Sequence, residues 1–289
     1  MTPFTLVLVL ASAAIHASWN LWAKQILSGV RSTSLIWMLT AISSVLYAPV
    51  AIWMLGSGSW HMSAAALPWM LGSGVIHVGY FLLLIAGYRA ADLSVVYPVS
   101  RGSGPLLGAA GAVLLLAEPV TPSLVLGAAL ITVGIVVLTW RMGEVHEPRV
   151  GAGLRFGLGV GVSIAVYLMW DGWAIKRVGV PPLIYYWFGE VTRTILLLPF
   201  AWADRAGIAR AWREHRMRIA GIATLSPLSY ILILIAMRHG AVSHIAPARE
   251  LSILIGTWLG GRVLGEGGRG RRLVAAGAFA AGVIALAWT

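Results

Sequence analysis

The sequence predicts an all-α membrane protein in which ten transmembrane helices form two inverted five-helix halves. Three observations predict this. First, 59% of the 289 residues are hydrophobic and only 11% are charged, with a mean hydropathy of +0.85. A soluble globular domain carries about 25% charged residues, so this surface suits lipid better than water. Second, the apolar residues form long runs rather than amphipathic stripes. Third, charged, proline and tryptophan anchors of the first half recur in the second.

The first run, 3–23, has no Lys or Arg before it and leads straight into Trp19, Asn20 and Trp22. It reads as a permanent span and not as a signal peptide. Runs near 33–55, 66–88, 93–117 and 121–140 complete the first half, and those near 153–175, 183–203, 217–237, 242–264 and 271–288 form the second. Most are long enough to cross roughly 30 Å of hydrocarbon as helices. Lipid cannot satisfy open backbone groups, and runs such as 121–140 lack the alternation of a barrel strand. The connections 118–120 and 238–241 are short enough to force antiparallel neighbours, whereas 141–152 and 204–216 are the longest polar stretches. The segment Arg141–Arg149 reads as the linker between two units, 1–144 and 150–289.

The repeat is visible residue by residue. Trp19-Asn20-Leu21-Trp22-Ala23 matches Trp170-Asp171-Gly172-Trp173-Ala174. Arg89, Ser94 and Pro98 match Arg238, Ser243 and Pro247, and Glu118, Gly134 and Trp140 match Glu266, Gly282 and Trp288. An odd number of spans per unit inverts the second unit relative to the first, a design used by many secondary transporters. The formal net charge of +11 comes from basic residues in short loops. That pattern points to anionic headgroups rather than nucleic acid. Loops after odd-numbered spans hold Lys24, Arg31, Arg89, Arg141, Arg149, Arg205, Arg210, Arg213 and Arg216, with Arg269, Arg271 and Arg272. The positive-inside rule then puts these loops in the cytoplasm and both termini outside.

The stretch Leu114-Leu-Leu-Ala-Glu118-Pro119-Val-Thr-Pro122-Ser-Leu-Val-Leu-Gly127, running on to Gly134, resembles the end of an EamA repeat, the unit of the drug/metabolite transporter superfamily. Tyr88-Arg-Ala-Ala-Asp-Leu-Ser94-Val-Val-Tyr97-Pro98 is similar to the same unit's junction between third and fourth spans. The second half keeps Glu266 and Gly282 but lacks the proline after the glutamate. This resemblance implies ten spans, two EamA repeats and a central substrate cavity. The compact, Trp-rich chain is similar to bacterial aromatic amino-acid exporters of the YddG type. It implies a bacterial inner-membrane protein.

Charged groups at bilayer depth cost about 2.5–3.5 kcal/mol on insertion scales, so they are the first candidates for function. They are Arg101 in the fourth span, Asp171 in the sixth, Glu190 and Arg193 in the seventh, and Arg249 and Glu250 in the ninth. The repeat sets Arg101 opposite Glu250. Two readings stand: a polar floor for the carboxylate and ammonium of a zwitterion, or ion pairs that tie helices together. Pro98 and Pro247 occupy matched positions inside spans, where each removes a backbone donor and frees a carbonyl. They are candidate hinges. The candidate cavity wall comprises Trp19, His77, Tyr80, Tyr97, Arg101, Trp187, Glu190, His244 and Glu250. Its aromatic members can stack on a ring or offer a hydroxyl, and a histidine can carry a proton near neutral pH. Ordinary packing is the competing reading for each single aromatic residue. Trp60, Trp69, Trp140, Trp212 and Trp288 fall near span ends, where tryptophan anchors helices at the interface. Glycines at four-residue spacing, Gly104 with Gly108, Gly153 with Gly157 and Gly161, and Gly256 with Gly260, suit close helix contact.

Cysteine is absent, which excludes disulfides, thiolate metal sites and catalytic thiols. No metalloprotease helix, Walker loop or nucleophile elbow occurs. The reading is a secondary transporter without metal or cofactor, exporting amino acids or related metabolites by alternating access. A drug, vitamin or nucleobase exporter and a membrane-embedded enzyme on a lipid-linked substrate are its rivals. Expected partners are a small-molecule substrate and membrane lipids, not nucleic acid, in a monomer or weak homo-oligomer.

Overall fold

The computed structural model describes residues 1–26, 30–58, 60–91, 93–139, 147–255 and 269–288. Among these the regular structure is helical. The elements are α1 (Pro3–Ile26), α2 (Ser32–Gly56), α3 (Leu67–Ala90), α4 (Leu93–Leu115), α5 (Pro122–Thr139), α6 (Glu147–Trp173), α7 (Pro182–Ala203), α8 (Arg205–His239), α9 (Val242–Ala248) and α10 (Arg269–Ala287). The end of α6 widens into one π-helical turn, Ala174–Val178. Most of the linker Arg141–Arg149, together with Trp140, Glu266, Gly256, Gly260 and the Pro98 side chain, lies outside the described residues.

Local chemistry sets the helix ends. Thr121 Oγ1 accepts the amide of Leu124 at 3.1 Å, capping α5, and Pro122 follows where its missing N–H costs nothing. Gly179 ends the π-turn with φ +78°, a conformation glycine adopts without penalty. One segment differs from the sequence expectation. The polar stretch 204–216, expected as a loop, is helical as the start of α8, with a kink at His215 (φ −132°, ψ 17°). Its Ala and Arg residues favour helix. Its apolar residues Ile208 and Ala211 pack with Ile26, Leu35 and Met38 from α1 and α2. In the ninth span, where Pro247 is a candidate hinge, the chain leaves α-helical geometry at Arg249 and Glu250. Beyond Pro247 the amides of Glu250, Ser252 and Ile253 reach back only three residues, at 2.9–3.2 Å. α4, by contrast, runs as a continuous helix from Leu93 to Leu115.

Among the described residues, five helices are long and apolar enough to cross a bilayer: Pro3–Ala23, Ser32–Gly56, Leu67–Ala90, Gly151–Val178 and Arg205–His239. Pro122–Val137 and Leu273–Ala287 are shorter apolar helices. Residues such as Val45, Trp53, Leu114 and Ile195 are exposed on the outside of the bundle, as in a multi-pass membrane protein with lipid as its solvent.

The packing pairs follow a pattern. α1 lies on α8 and α3 on α6, while α2 packs on α7, α4 on α9 and α5 on α10. Exchanging the two halves turns the first two pairs into each other and each of the rest into itself. α4 also packs extensively on α6, through glycines. A Cβ at Gly104 would stand 2.9 Å from Ile164, and one at Gly157 would stand 2.7 Å from Val99. Those close approaches need residues without side chains. The start of α1 meets the end of α10, where the Met1 amino group donates to Leu286 O at 3.3 Å.

Candidate functional site

A cavity of about 560 Å³ opens among α1, α2, α3, α4, α7 and α8. Its walls come from His16–Ala23 of α1, Ser32–Ser43 of α2 and Tyr80–Tyr88 of α3. These are the parts of the helices nearest the α1–α2 and α3–α4 connections, so the cavity faces that end of the bundle. Its floor reaches Tyr97 and Arg101 of α4, Tyr186, Glu190 and Arg193 of α7, and Ala223, Ser226 and Pro227 of α8. The volume suits a small metabolite.

Two ion pairs contribute members to this cavity. Arg193 Nη2 donates to Glu190 Oε1 at 2.7 Å, with both side chains buried. The Arg193 guanidinium also lies over the Tyr186 ring, 5.0 Å from its centre. Arg101 Nη1 stands 3.6 Å from Glu250 Oε1, a looser contact, and lies over the Tyr97 ring at 5.7 Å. Charge-assisted bonds close at about 2.7–2.9 Å, so the first pair is fully made and the second is not.

Of the residues expected on the cavity wall, Trp19, Tyr80, Tyr97, Arg101 and Glu190 line it. Four others sit elsewhere. Glu250 is buried behind Arg101. Trp187 turns outward to α2, donating its Nε1–H to Ser44 O at 2.8 Å. His77 stacks on Tyr167 with centroids 4.6 Å apart, and its Nδ1 lies 2.8 Å from Ser73 O. His244 Nδ1 lies 3.2 Å from Ser243 Oγ. The reason is helical phase: residues matched by spacing along an apolar helix share a face, but spacing does not say whether that face meets a cavity or a neighbour. Trp69, expected as an interfacial anchor, packs on Trp170 and Trp173.

Two polar clusters went unforeseen. Asp171 is fully buried, and its carboxylate accepts from three hydroxyls on three helices. These are Tyr185 of α7 at 2.5 Å, Ser73 of α3 at 2.8 Å and Tyr230 of α8 at 2.5 Å. The Arg249 guanidinium covers the Tyr230 ring at 4.8 Å and points Nη1 at Tyr167 Oη, 3.5 Å away. This network lies beneath the floor: Tyr186 on the wall packs on Tyr230, centroids 5.6 Å apart. The signal in the sequence was Asp171 itself, a carboxylate within an apolar run.

The second cluster closes the opposite end of the bundle. Ala117 takes a left-handed turn, φ +56°, and presents Glu118. Its Oε1 accepts from Lys176 Nζ and the Val242 amide, and its Oε2 from the Ser243 amide, each at 2.8 Å. Arg177 Nη2 donates to Leu116 O at 3.1 Å. One carboxylate thus clasps the α4–α5 loop, the π-turn and the first turn of α9. Partial burial pushes the Glu118 carboxyl upward, but Lys176 and the Ser243 and Val242 donors outweigh it and hold the group below the ordinary glutamate range.

Residues 3–140 match the EamA-like transporter family. The match lies in the first half of the chain. A solved crystal structure of a protein is similar to the chain at 15% identity, with a TM-score of 0.77 over 99% of this chain and 96% of that one. At this identity the likeness is one of fold. No curated protein matches.

Proposed function

We propose that the chain is a secondary transporter of the bacterial inner membrane that exports amino acids, aromatic and other neutral, or related small metabolites by alternating access. The observation that carries this reading is a cavity open at one end, with charged pairs in its floor and aromatic walls, clasped shut at the other. An amphipathic zwitterion meets both parts of such a site, with Arg101 for its carboxylate and Tyr80, Tyr97 and Trp19 against its side chain. The EamA-like match supports transport over chemistry on a lipid substrate.

The ten-span, inverted-repeat architecture belongs to this proposal. The exchange symmetry of the helix pairs supports it, as does the meeting of the α1 start with the α10 end. With basic loops in the cytoplasm, the cavity faces inward and the Glu118 clasp closes the outer end. Pro247 is the hinge better supported by geometry, because the backbone beside it has left the α-helix. The aromatic walls also suit a drug or nucleobase cargo. Uptake of radiolabelled amino acids into proteoliposomes tests the main reading. Saturable flux competed by Trp, Phe, Met or Thr is expected. Flux competed only by a planar heteroaromatic base or a drug moves the assignment to the second cargo, and no saturable flux of either class overturns transport.

A further inference from the structure

Buried polar atoms without a hydrogen bond are rare in folded proteins, and each asks for an explanation. Two of those among the described residues, Glu190 Oε2 and Trp19 Nε1, belong to side chains that line the cavity. Glu190 is only 4% exposed. Arg193 holds its Oε1 at 2.7 Å and donates a second time to Gly189 O at 3.2 Å, within its own helix. The arginine therefore fixes the carboxylate's orientation while using one of its oxygens. The other oxygen is buried and has no hydrogen bond of good geometry; the Tyr186 side chain interacts with the same carboxyl, and Arg193 covers the Tyr186 ring. Trp19 Nε1 is the converse, a buried donor without an acceptor.

We infer that Glu190 Oε2 is the receptor for a hydrogen-bond-donating ammonium group of the substrate, a role that rests on the transport reading and assigns one end of its cargo. A charged acceptor discriminates by N–H donation as well as by charge. Primary and secondary ammonium groups satisfy it, and a quaternary ammonium leaves it unpaired at full desolvation cost. Glu250, whose Oε2 is also buried without a hydrogen bond, is not that receptor, since it does not line the cavity and is paired with Arg101. Arg101 is engaged only at 3.6 Å and remains the partner for an anionic end. The Trp19 indole N–H supplies a further donor for an oxygen on the cargo.

The test uses the full chain in proteoliposomes with three probes of one shape: L-phenylalanine, its N,N,N-trimethyl betaine, and 3-phenylpropionate, which lacks nitrogen. In the unaltered chain the betaine is expected to compete at least about tenfold more weakly than phenylalanine, the loss of one charged hydrogen bond. Glu190→Gln is expected to raise the phenylalanine KM about tenfold or more while leaving competition by 3-phenylpropionate undiminished. Glu190→Asp, which keeps the charge, falls between. Thermal unfolding of each purified variant confirms that it is folded. Equal competition by the betaine, or an unchanged KM in Glu190→Gln, overturns the inference. Binding is read separately, by thermal stabilisation of the detergent-purified chain with phenethylamine. Stabilisation lost in Glu190→Gln sustains the ammonium site even where no flux occurs, and that combination sinks only the transport reading. Stabilisation equal in both proteins overturns the site.

Discussion

Removing the Glu118 carboxylate tests whether it holds one end of the bundle shut. Glu118 accepts three bonds at 2.8 Å, from Lys176 and from the amides of Val242 and Ser243. Hydrogen bonds to a charged group contribute about 1.5–3 kcal/mol each when shielded. The Lys176 side chain is 25% exposed, so its share falls toward the 0.5–1 kcal/mol of a surface pair. With the two amide bonds taken at the low end, the clasp contributes about 3–4 kcal/mol. Each 1.4 kcal/mol is a factor of ten, so Glu118→Ala shifts the closed-to-open ratio by about a hundredfold or more. The chain has no cysteine, which makes a single Thr40→Cys on the cavity wall a clean reporter. A membrane-impermeant maleimide is expected to label that thiol from one side in the parent protein and from both sides in Glu118→Ala. Lys176→Gln is expected to give a severalfold rise. Acid gives an independent route. A carboxyl held below its ordinary value contributes fully above that value, and its contribution is lost as pH falls through the lowered one. The clasp therefore stands throughout the neutral range and releases only on the acid side of the ordinary glutamate range. A folded Glu118→Ala protein still labelled from one side alone refutes the reasoning.

Asp171→Asn puts an NH₂ group where hydroxyls now donate, and at least one of Tyr185, Ser73 and Tyr230 loses its acceptor. A stability loss of about 2–4 kcal/mol is expected in detergent unfolding, and a loss under 1 kcal/mol counts against Asp171 as the shared acceptor of the three hydroxyls. Gly104→Val sets a Cβ 2.9 Å from Ile164 and is expected to cost about 1–3 kcal/mol by overpacking α4 against α6, read as a lower Tm. Ala117→Gly relieves the left-handed turn at φ +56° and is expected to gain about 0.5–1 kcal/mol. A lower Tm in that variant contradicts the turn.

The all-helical class was legible because lipid simplifies the code. Runs such as 121–140 could only be helices, and α5 spans Pro122–Thr139. Composition said less where water returns. The stretch 204–216 reads as polar loop, yet its Ile208 and Ala211 face α1 and α2, an amphipathic pattern masked by its arginines. The candidate site was half legible for a related reason. Arg101, Glu190 and Tyr97 stood out because a charge or hydroxyl at bilayer depth needs a purpose, and the structure sets all three on one cavity. His77 and His244 stood out equally, but a polar side chain that has found a neighbour leaves no trace of it in sequence. The Glu118 clasp was hidden differently. Its partners are mostly backbone amides, which carry no residue identity, and its lysine arrives through a π-turn that shifts the helical phase.

The short helix α9 ties the clasp to the cavity. Its first amides, Val242 and Ser243, are bound by Glu118, and just beyond its end Glu250 meets Arg101 on the cavity wall. Between them lie the seven residues Val242–Ala248, a rod of about 10 Å at 1.5 Å per residue. Hydrogen bonding within so short a helix leaves little freedom for one end to move without the other. The compliance lies past Pro247, where three-residue turns replace the α-helical ladder. On the proposed transport reading, a cargo carboxylate that draws Arg101 away from Glu250 reaches the rod that Glu118 holds only through that compliant turn. Coupling between two such sites is reciprocal: by whatever free energy cargo binding weakens the clasp, breaking the clasp strengthens cargo binding by the same amount. A clasp on backbone amides suits that role, because it resists movement of the rod itself and not merely of one side chain.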